Sequence, residues 1–217
     1  MKNELKKNDF SVSLEIFPPK KEEEFAGAFE LLDKLALLKP DFISVTYGAG
    51  GSRSKKTVEM TSYIKNTLHI PALAHLTCVG NTKKDIDTVV ADLKAAGINN
   101  VLALRGDRPA YMTDEQYNAR EFEHASDMIA YLKETTDFKI AGACYPEKHF
   151  EAFSFKEDVR YLKQKVDLGV EMLISQLFFD NEMFYRFEEM TQIAGINIPI
   201  CAGIMPITTS KQLGTTV

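Results

Sequence analysis

Six short apolar runs in this sequence each contain or end beside a side chain able to do chemistry. They are Val12–Ile16 around Glu15, Phe42–Thr46, Ala72–His75, Val101–Asp107, Ile140–Tyr145 and Met172–Gln176. Glu15, Thr46, His75, Asp107, Tyr145 and Gln176 offer two acids, a hydroxyl, an imidazole, a phenol and an amide. No Ser-His-Asp or Cys-His spacing marks a nucleophile system. One strand-borne acid with amides, rings and phosphate-compatible groups suits a planar cofactor with a phosphate tail better than hydrolysis.

Glu15 lies in the apolar strand Ser13-Leu14-Glu15-Ile16-Phe17. A carboxyl among apolar groups is expected to have a raised pKa, as a general acid near neutral pH requires. The other reading is a glutamate paired with a basic residue inside the fold. Arg105-Gly106-Asp107 puts a cation, a flexible glycine and an anion directly after a strand. Arginine there clamps phosphate or stacks on a planar ring, or forms a surface ion pair. Thr46-Tyr47-Gly48-Ala49-Gly50-Gly51 is a glycine-rich turn opening onto a helix, either a phosphate cradle or only a tight connection. His75 reads as a catalyst or as a hydrogen-bonded core residue. Tyr145, near His149, packs a cofactor or forms a lid. Gln176 can recognise a heterocycle edge with its amide.

The elements that must position these groups alternate regularly. Strands are expected at Ser11–Phe17, Phe42–Thr46, Ala72–Leu76, Asn100–Leu104, Lys139–Ala143, Glu171–Ser175 and Ile198–Ala202. Helices are expected at Glu22–Leu38, Ser54–Leu68, Thr82–Ala96, Phe122–Thr135, Phe155–Leu168 and Glu182–Ile193, with a seventh beginning in Thr208–Val217. Phe25, Phe29, Leu32 and Leu35, and likewise Ile86, Val89, Val90 and Leu93, recur at helical steps of three and four. Alternation with both sheet faces covered argues for a parallel sheet. No G-x-G-x-x-G follows the first strand, where Pro18-Pro19 stands instead, so a dinucleotide-binding sheet is disfavoured. The expectation is a (β/α)8 TIM barrel in a single domain, 1–217. In such a barrel all strand C-termini open onto one mouth. These barrels close with eight strands and about 250 residues, so the C-terminal strand and helix are expected to be missing from this chain.

Composition narrows the class. The 217 residues are 45% hydrophobic and 26% charged, with net charge -5, which is ordinary for a globular domain and lacks a nucleic-acid footprint. The basic cluster Arg53, Lys55 and Lys56 reads as a solvated helix face. Cys78, Cys144 and Cys201 form no CxxC pair and read as reduced thiols of a cytoplasmic protein. No ligand cluster is spaced for a metal, and no apolar run approaches the ~18 residues of a membrane span.

At the level of whole motifs the sequence resembles the methylenetetrahydrofolate reductases. The matching pieces, in the family's order, are Ser13-Leu14-Glu15-Ile16-Phe17-Pro18-Pro19-Lys20, Val45-Thr46-Tyr47-Gly48-Ala49, Ala74-His75-Leu76-Thr77-Cys78, Leu104-Arg105-Gly106-Asp107, Tyr145-Pro146-Glu147-Lys148-His149, Lys165-Val166-Asp167-Leu168-Gly169, Gln176-Leu177-Phe178-Phe179-Asp180 and Gly203-Ile204-Met205-Pro206. The resemblance implies a flavin-dependent barrel in which NADH or NADPH reduces bound FAD. The flavin then passes hydride to 5,10-methylenetetrahydrofolate, giving 5-methyltetrahydrofolate for methionine synthesis. It implies Glu15 as the general acid, Asp107 near both flavin and pterin, and Gln176 on the folate. FAD contacts carry over to Thr46, Tyr47, Ala49, His75, Arg105, Gly106, Asp107, Ala125, Tyr145, His149, Ala152, Asp158 and Lys165. Arg105 and Lys165 would meet phosphate or ribose. Folate and nicotinamide nucleotide are the implied small-molecule partners, with a homo-oligomer expected and neither nucleic acid nor membrane. Ser210 stands where some bacterial members carry phenylalanine, and Tyr161 where some carry asparagine. The family's arginine for the folate tail, borne on the last strand and helix, has no counterpart here. Two rival readings are a flavin- or folate-binding partner without turnover and an unrelated flavin barrel of the proline dehydrogenase kind. Glu15 and Leu104-Arg105-Gly106-Asp107 argue against both.

Overall fold

Every run expected as a strand forms one. The computed structural model describes residues 10–19, 21–47, 51–209 and 212. Its strands are β1 (Ser13–Ile16), β2 (Phe42–Val45), β3 (Ala72–Thr77), β4 (Asn100–Leu104), β5 (Lys139–Cys144), β6 (Val170–Ser175) and β7 (Ile200–Cys201). All adjacent pairs are parallel, and the sheet order is the sequence order. The helices are α1 (Phe25–Ala36), α2 (Gly51–Ser62), α3 (Lys83–Ala95), α4 (Asp114–Asn118), α5 (Ala125–Thr135), α6 (Phe155–Asp167) and α7 (Asn181–Ile193).

Successive side chains on a strand point to opposite faces, and both faces are used here. Ile43, Val45, Ala74, Leu76, Val101 and Ile140 face the helices and pack with Leu32, Ile64, Ile86, Leu93, Met128, Leu132 and Phe187. Phe42, Leu73, Leu102, Ala141 and Met172 form a separate inner layer, joined by Leu104, Ile174 and Cys201. Across that interior Ser13 Oγ on β1 lies 3.6 Å from Cys201 Sγ on β7. The sheet thus curls until its first and last strands come into side-chain contact, as in a (β/α)8 barrel. The eighth strand of a closed barrel is not among the described residues.

Several boundaries differ from expectation. The first helix begins as a 3-10 turn at Glu22–Glu24, and the second ends in a π turn at Tyr63–Thr67. The connection after β4 contains the short α4, capped at Thr113 by a reciprocal Thr113–Gln116 box. α3 ends as its glycine requires: Gly97 takes φ +73°, and Gly97 N–H and Ile98 N–H donate to the carbonyls of Lys94 and Leu93. The tail helix expected in Thr208–Val217 falls largely outside the described residues.

Candidate active site

Alternation on β1 turns Ser13 and Glu15 inward, and the β1–β2 register sets Glu15 beside Ser44. Ser44 Oγ donates to Glu15 Oε2 at 3.3 Å. His75, at the inner face of β3, brings Nε2 to 3.3 Å from the same oxygen. The contact is close but poorly aligned, and among the described residues Nε2 finds no other hydrogen-bond partner although its side chain is only 6% exposed. The sequence argument put Glu15 among apolar groups with a raised pKa, and the structure corrects this. Its side chain is 44% exposed at the mouth. Burial alone would push the carboxyl up, but His75 and the Ser44 hydroxyl outweigh it and hold Glu15 below the ordinary carboxylate value.

A second set of residues lines a groove of about 480 Å³ at the ends of β4 and β5, within the usual range for a small-molecule site. Arg105, Ala125, Tyr145, His149, Ala152, Asp158 and Lys165 all line it. Asp158, Tyr161 and Lys165 reach it from one face of α6 because they stand three and four residues apart. Lys165 Nζ donates to the Ala143 carbonyl at 2.7 Å and forms no ion pair with a described residue. Burial pushes its ammonium below the ordinary lysine value, opposed by nearby Cys144 and Asp158. Asp158 accepts the His149 backbone N–H at 2.9 Å. The His149 ring meets Tyr145 edge-on with centroids 4.6 Å apart. Its Nδ1 accepts the Glu151 N–H at 3.2 Å, which requires that nitrogen unprotonated. Burial lowers the His149 pKa to match.

Arg105 does not stand free. Glu151 grips its guanidinium with both carboxylate oxygens, Nη2 to Oε1 at 2.9 Å. This bond raises the Arg105 pKa and lowers that of Glu151. Gly106 takes φ +82°, and a Cβ there would meet Thr77 at 2.9 Å, so the turn that aims Arg105 and Asp107 needs glycine. Asp107 is exposed beyond β4. Tyr145 also walls a second recess of about 250 Å³ with Pro146, Glu147, Lys148, Gln176, Leu177 and Phe179. Gln176 is exposed there, its backbone N–H tied to the Cys144 carbonyl at 2.7 Å.

The predicted residues therefore fall into neighbouring groups rather than one pocket. Glu15 and His75 meet on the inner face, seven of the residues expected to contact FAD share the groove, and Gln176 lies across Tyr145 from it. Thr46 and Tyr47 directly follow β2 and are half-buried. Ala49 and Ser210 lie outside the described residues. Cys78 and Cys144 do not compete as nucleophiles, since burial pushes Cys78 up to about 11 and Cys144 up to about 12. Sequence reasoning missed Ser44, whose place inside follows from alternation in Phe42–Thr46. It also missed Glu151, signalled only by a carboxylate one βα loop away from Arg105.

Two cations (Arg105, Lys165), three carboxylates (Glu151, Glu157, Asp158), two phenols (Tyr145, Tyr161) and two imidazoles (His124, His149) line one groove, a donor and acceptor set able to meet a ligand with phosphates, hydroxyls and a flat ring. In chemistry they fit a flavin nucleotide. Among the described residues no group of acids, histidines and cysteines is arranged to hold a metal ion, and no helix is long and apolar enough to cross a membrane.

Comparison with known proteins identifies relatives in fold and in sequence. Among solved structures, the fold is similar to that of a Clostridium thermocellum protein that binds two copies of 5-methyl-5,6,7,8-tetrahydrofolic acid. The TM-score is 0.66 at 16% identity, covering 99% of this chain and 72% of that one. The chain is 39% identical over 202 residues to 5,10-methylenetetrahydrofolate reductase of Escherichia coli (strain K12), covering 93% of this chain and 66% of that protein. It is 37% identical over 210 residues to a probable methylenetetrahydrofolate reductase (NADH) of Oryza sativa subsp. japonica, covering 92% of this chain and 35% of that one. The chain thus spans just under two-thirds of the bacterial relative's length. The sequence model of the methylenetetrahydrofolate reductase family matches residues 1–217, and the chain belongs to that family.

Proposed function

We propose that the protein reduces 5,10-methylenetetrahydrofolate to 5-methyltetrahydrofolate, with NADH or NADPH as electron donor and FAD as the tightly held carrier, as a step toward methionine in the cytoplasm. The observation that carries the reading is the groove, in which seven residues implied as FAD contacts come together in a chain of this family. When bound, FAD supplies the hydride-carrying chemistry in two alternating half-reactions. Arg105 and Lys165 would hold the anionic part of the nucleotide, Asp158 would accept from its hydroxyls, and Tyr145 and His149 would pack its rings. Gln176 holds the folate across Tyr145. Asp107, exposed just past β4, would place a negative charge beside bound flavin and would favour its giving up hydride.

Glu15 delivers a proton to a folate nitrogen, which opens the five-membered ring for hydride addition. Burial raises its pKa but His75 and Ser44 together outweigh that, so the acid role requires the bound substrate to tip this balance. A planar substrate laid over this half-exposed carboxyl would strip away more water and raise its pKa.

The test is the flavin spectrum of the purified protein. FAD-loaded protein should bleach with a nicotinamide and recolour with methylenetetrahydrofolate. Protein that cannot be loaded with FAD, or is recoloured by menadione but not by the folate, refutes the reading. Glu15→Gln should leave bleaching by NADH nearly intact and lower the folate half-reaction by at least ~100-fold, the usual worth of a positioned acid. Equal loss of both half-reactions would remove Glu15 from the acid role.

A further inference from the structure

The Arg105–Glu151 clamp stands where the flavin reading needs a cation for phosphate. Glu151 is not a stray surface acid. Its backbone N–H is bound to His149 Nδ1. Its loop is tied down by Lys148, whose Nζ donates to the carbonyls of His149 and Ala152, and by the Phe153 N–H, which donates to Glu157. These bonds aim the carboxylate at the guanidinium. The two partners differ in freedom: the Arg105 side chain is 21% exposed and Glu151 46%. The carboxylate can swing into water at little cost, whereas the guanidinium stays in the groove. A carboxylate and a phosphate present similar paired oxygens to arginine and compete for the same fork.

We propose that Glu151 is a built-in competitor for the anionic part of the groove's ligand, holding Arg105 until a phosphate displaces it. The proposal rests on the flavin-nucleotide reading and adds a residue that sets the affinity. Glu151 weakens binding of phosphate-bearing flavins in two ways. It occupies the arginine, and its own charge repels the incoming phosphates. It leaves flavins without phosphate unaffected, because they make no claim on Arg105.

The experiment titrates apoprotein with FAD and, separately, with riboflavin, for wild type and Glu151→Gln. The exposed half of Glu151 makes the change tolerable for folding, and Glu151→Ala serves as a second variant. The variants should bind FAD about fivefold more tightly, the equivalent of ~1 kcal/mol for a partly exposed ion pair, and riboflavin with unchanged affinity. Unchanged or weaker FAD binding overturns the proposal, because Glu151 would then be neutral or would help orient Arg105. An equal gain for riboflavin also overturns it, by showing an effect of pocket shape. If neither wild type nor variants bind FAD, the flavin reading itself fails and the competitor falls with it. FAD binding indifferent to Glu151 sinks the competitor alone.

Discussion

Glu15 sits under opposing influences: loss of water, which favours its neutral form, and His75 with Ser44, which favour its anion. In the ligand-free protein the second pair wins. A folded pKa below the unfolded one means that the anion stabilises the fold above the unfolded value, and that this is lost as pH falls through the folded value. The difference in melting temperature between wild type and Glu15→Gln should therefore be present at neutral pH and vanish in acid. A difference that persists in acid would mean that shape, not charge, explains it. A substrate that covers Glu15 should reverse the balance. Folate binding is then expected to take up a proton, which calorimetry in buffers of different ionisation heat would detect. Binding without proton exchange would leave the acid role unsupported. The direction of this pKa was not legible in the sequence. The run around Glu15 shows apolar neighbours, but the deciding groups come from β2 and β3, and only the register brings them to one oxygen.

Elements with a regular apolar period were legible, and those set by local hydrogen bonding less so. Ile86, Val89, Val90 and Leu93 are all buried on α3, as their spacing requires. The short α4 has too little apolar face to be read by period, although its Thr113-x-x-Gln116 box was present as a signal. The clustering in the groove was legible only through whole-motif resemblance, because its residues come from two separate βα units, β4 to α5 and β5 to α6. The motif Gly203-Ile204-Met205-Pro206 gains a physical reason at this scale. A Cβ on Gly203 would stand 2.2 Å from the Ser175 carbonyl oxygen, and the Gly203 N–H donates to Ser175 Oγ at 2.8 Å. Backbone presses on backbone here, so no side-chain rotation relieves the clash. Gly203→Ala should cost about 3 kcal/mol, the upper end for overpacking, and lower the urea midpoint accordingly. An unchanged midpoint would mean that the β6 and β7 ends are free to part.

For the molecule as a whole, the parallel order β1 to β7 leaves unequal strands. Among the described residues β3, β4 and β5 each have a neighbour on both sides, whereas β1 pairs only with β2 and β7 only with β6. The contact of Ser13 with Cys201 is one of side chains, so it closes the interior without pairing the two backbones. Unpaired edges exchange amide hydrogens through small local openings, while central strands need larger ones. In hydrogen exchange on this 217-residue chain, the outward amides of β1 and β7 should exchange at least ~100-fold faster than those of β4. A threshold of that size corresponds to about 2.7 kcal/mol in opening free energy, well within the usual spread across one domain. If β1 and β7 are as protected as β4, a further strand or a second copy must be hydrogen-bonded between them. The concentration dependence of that protection separates the two, because only a second copy is lost on dilution.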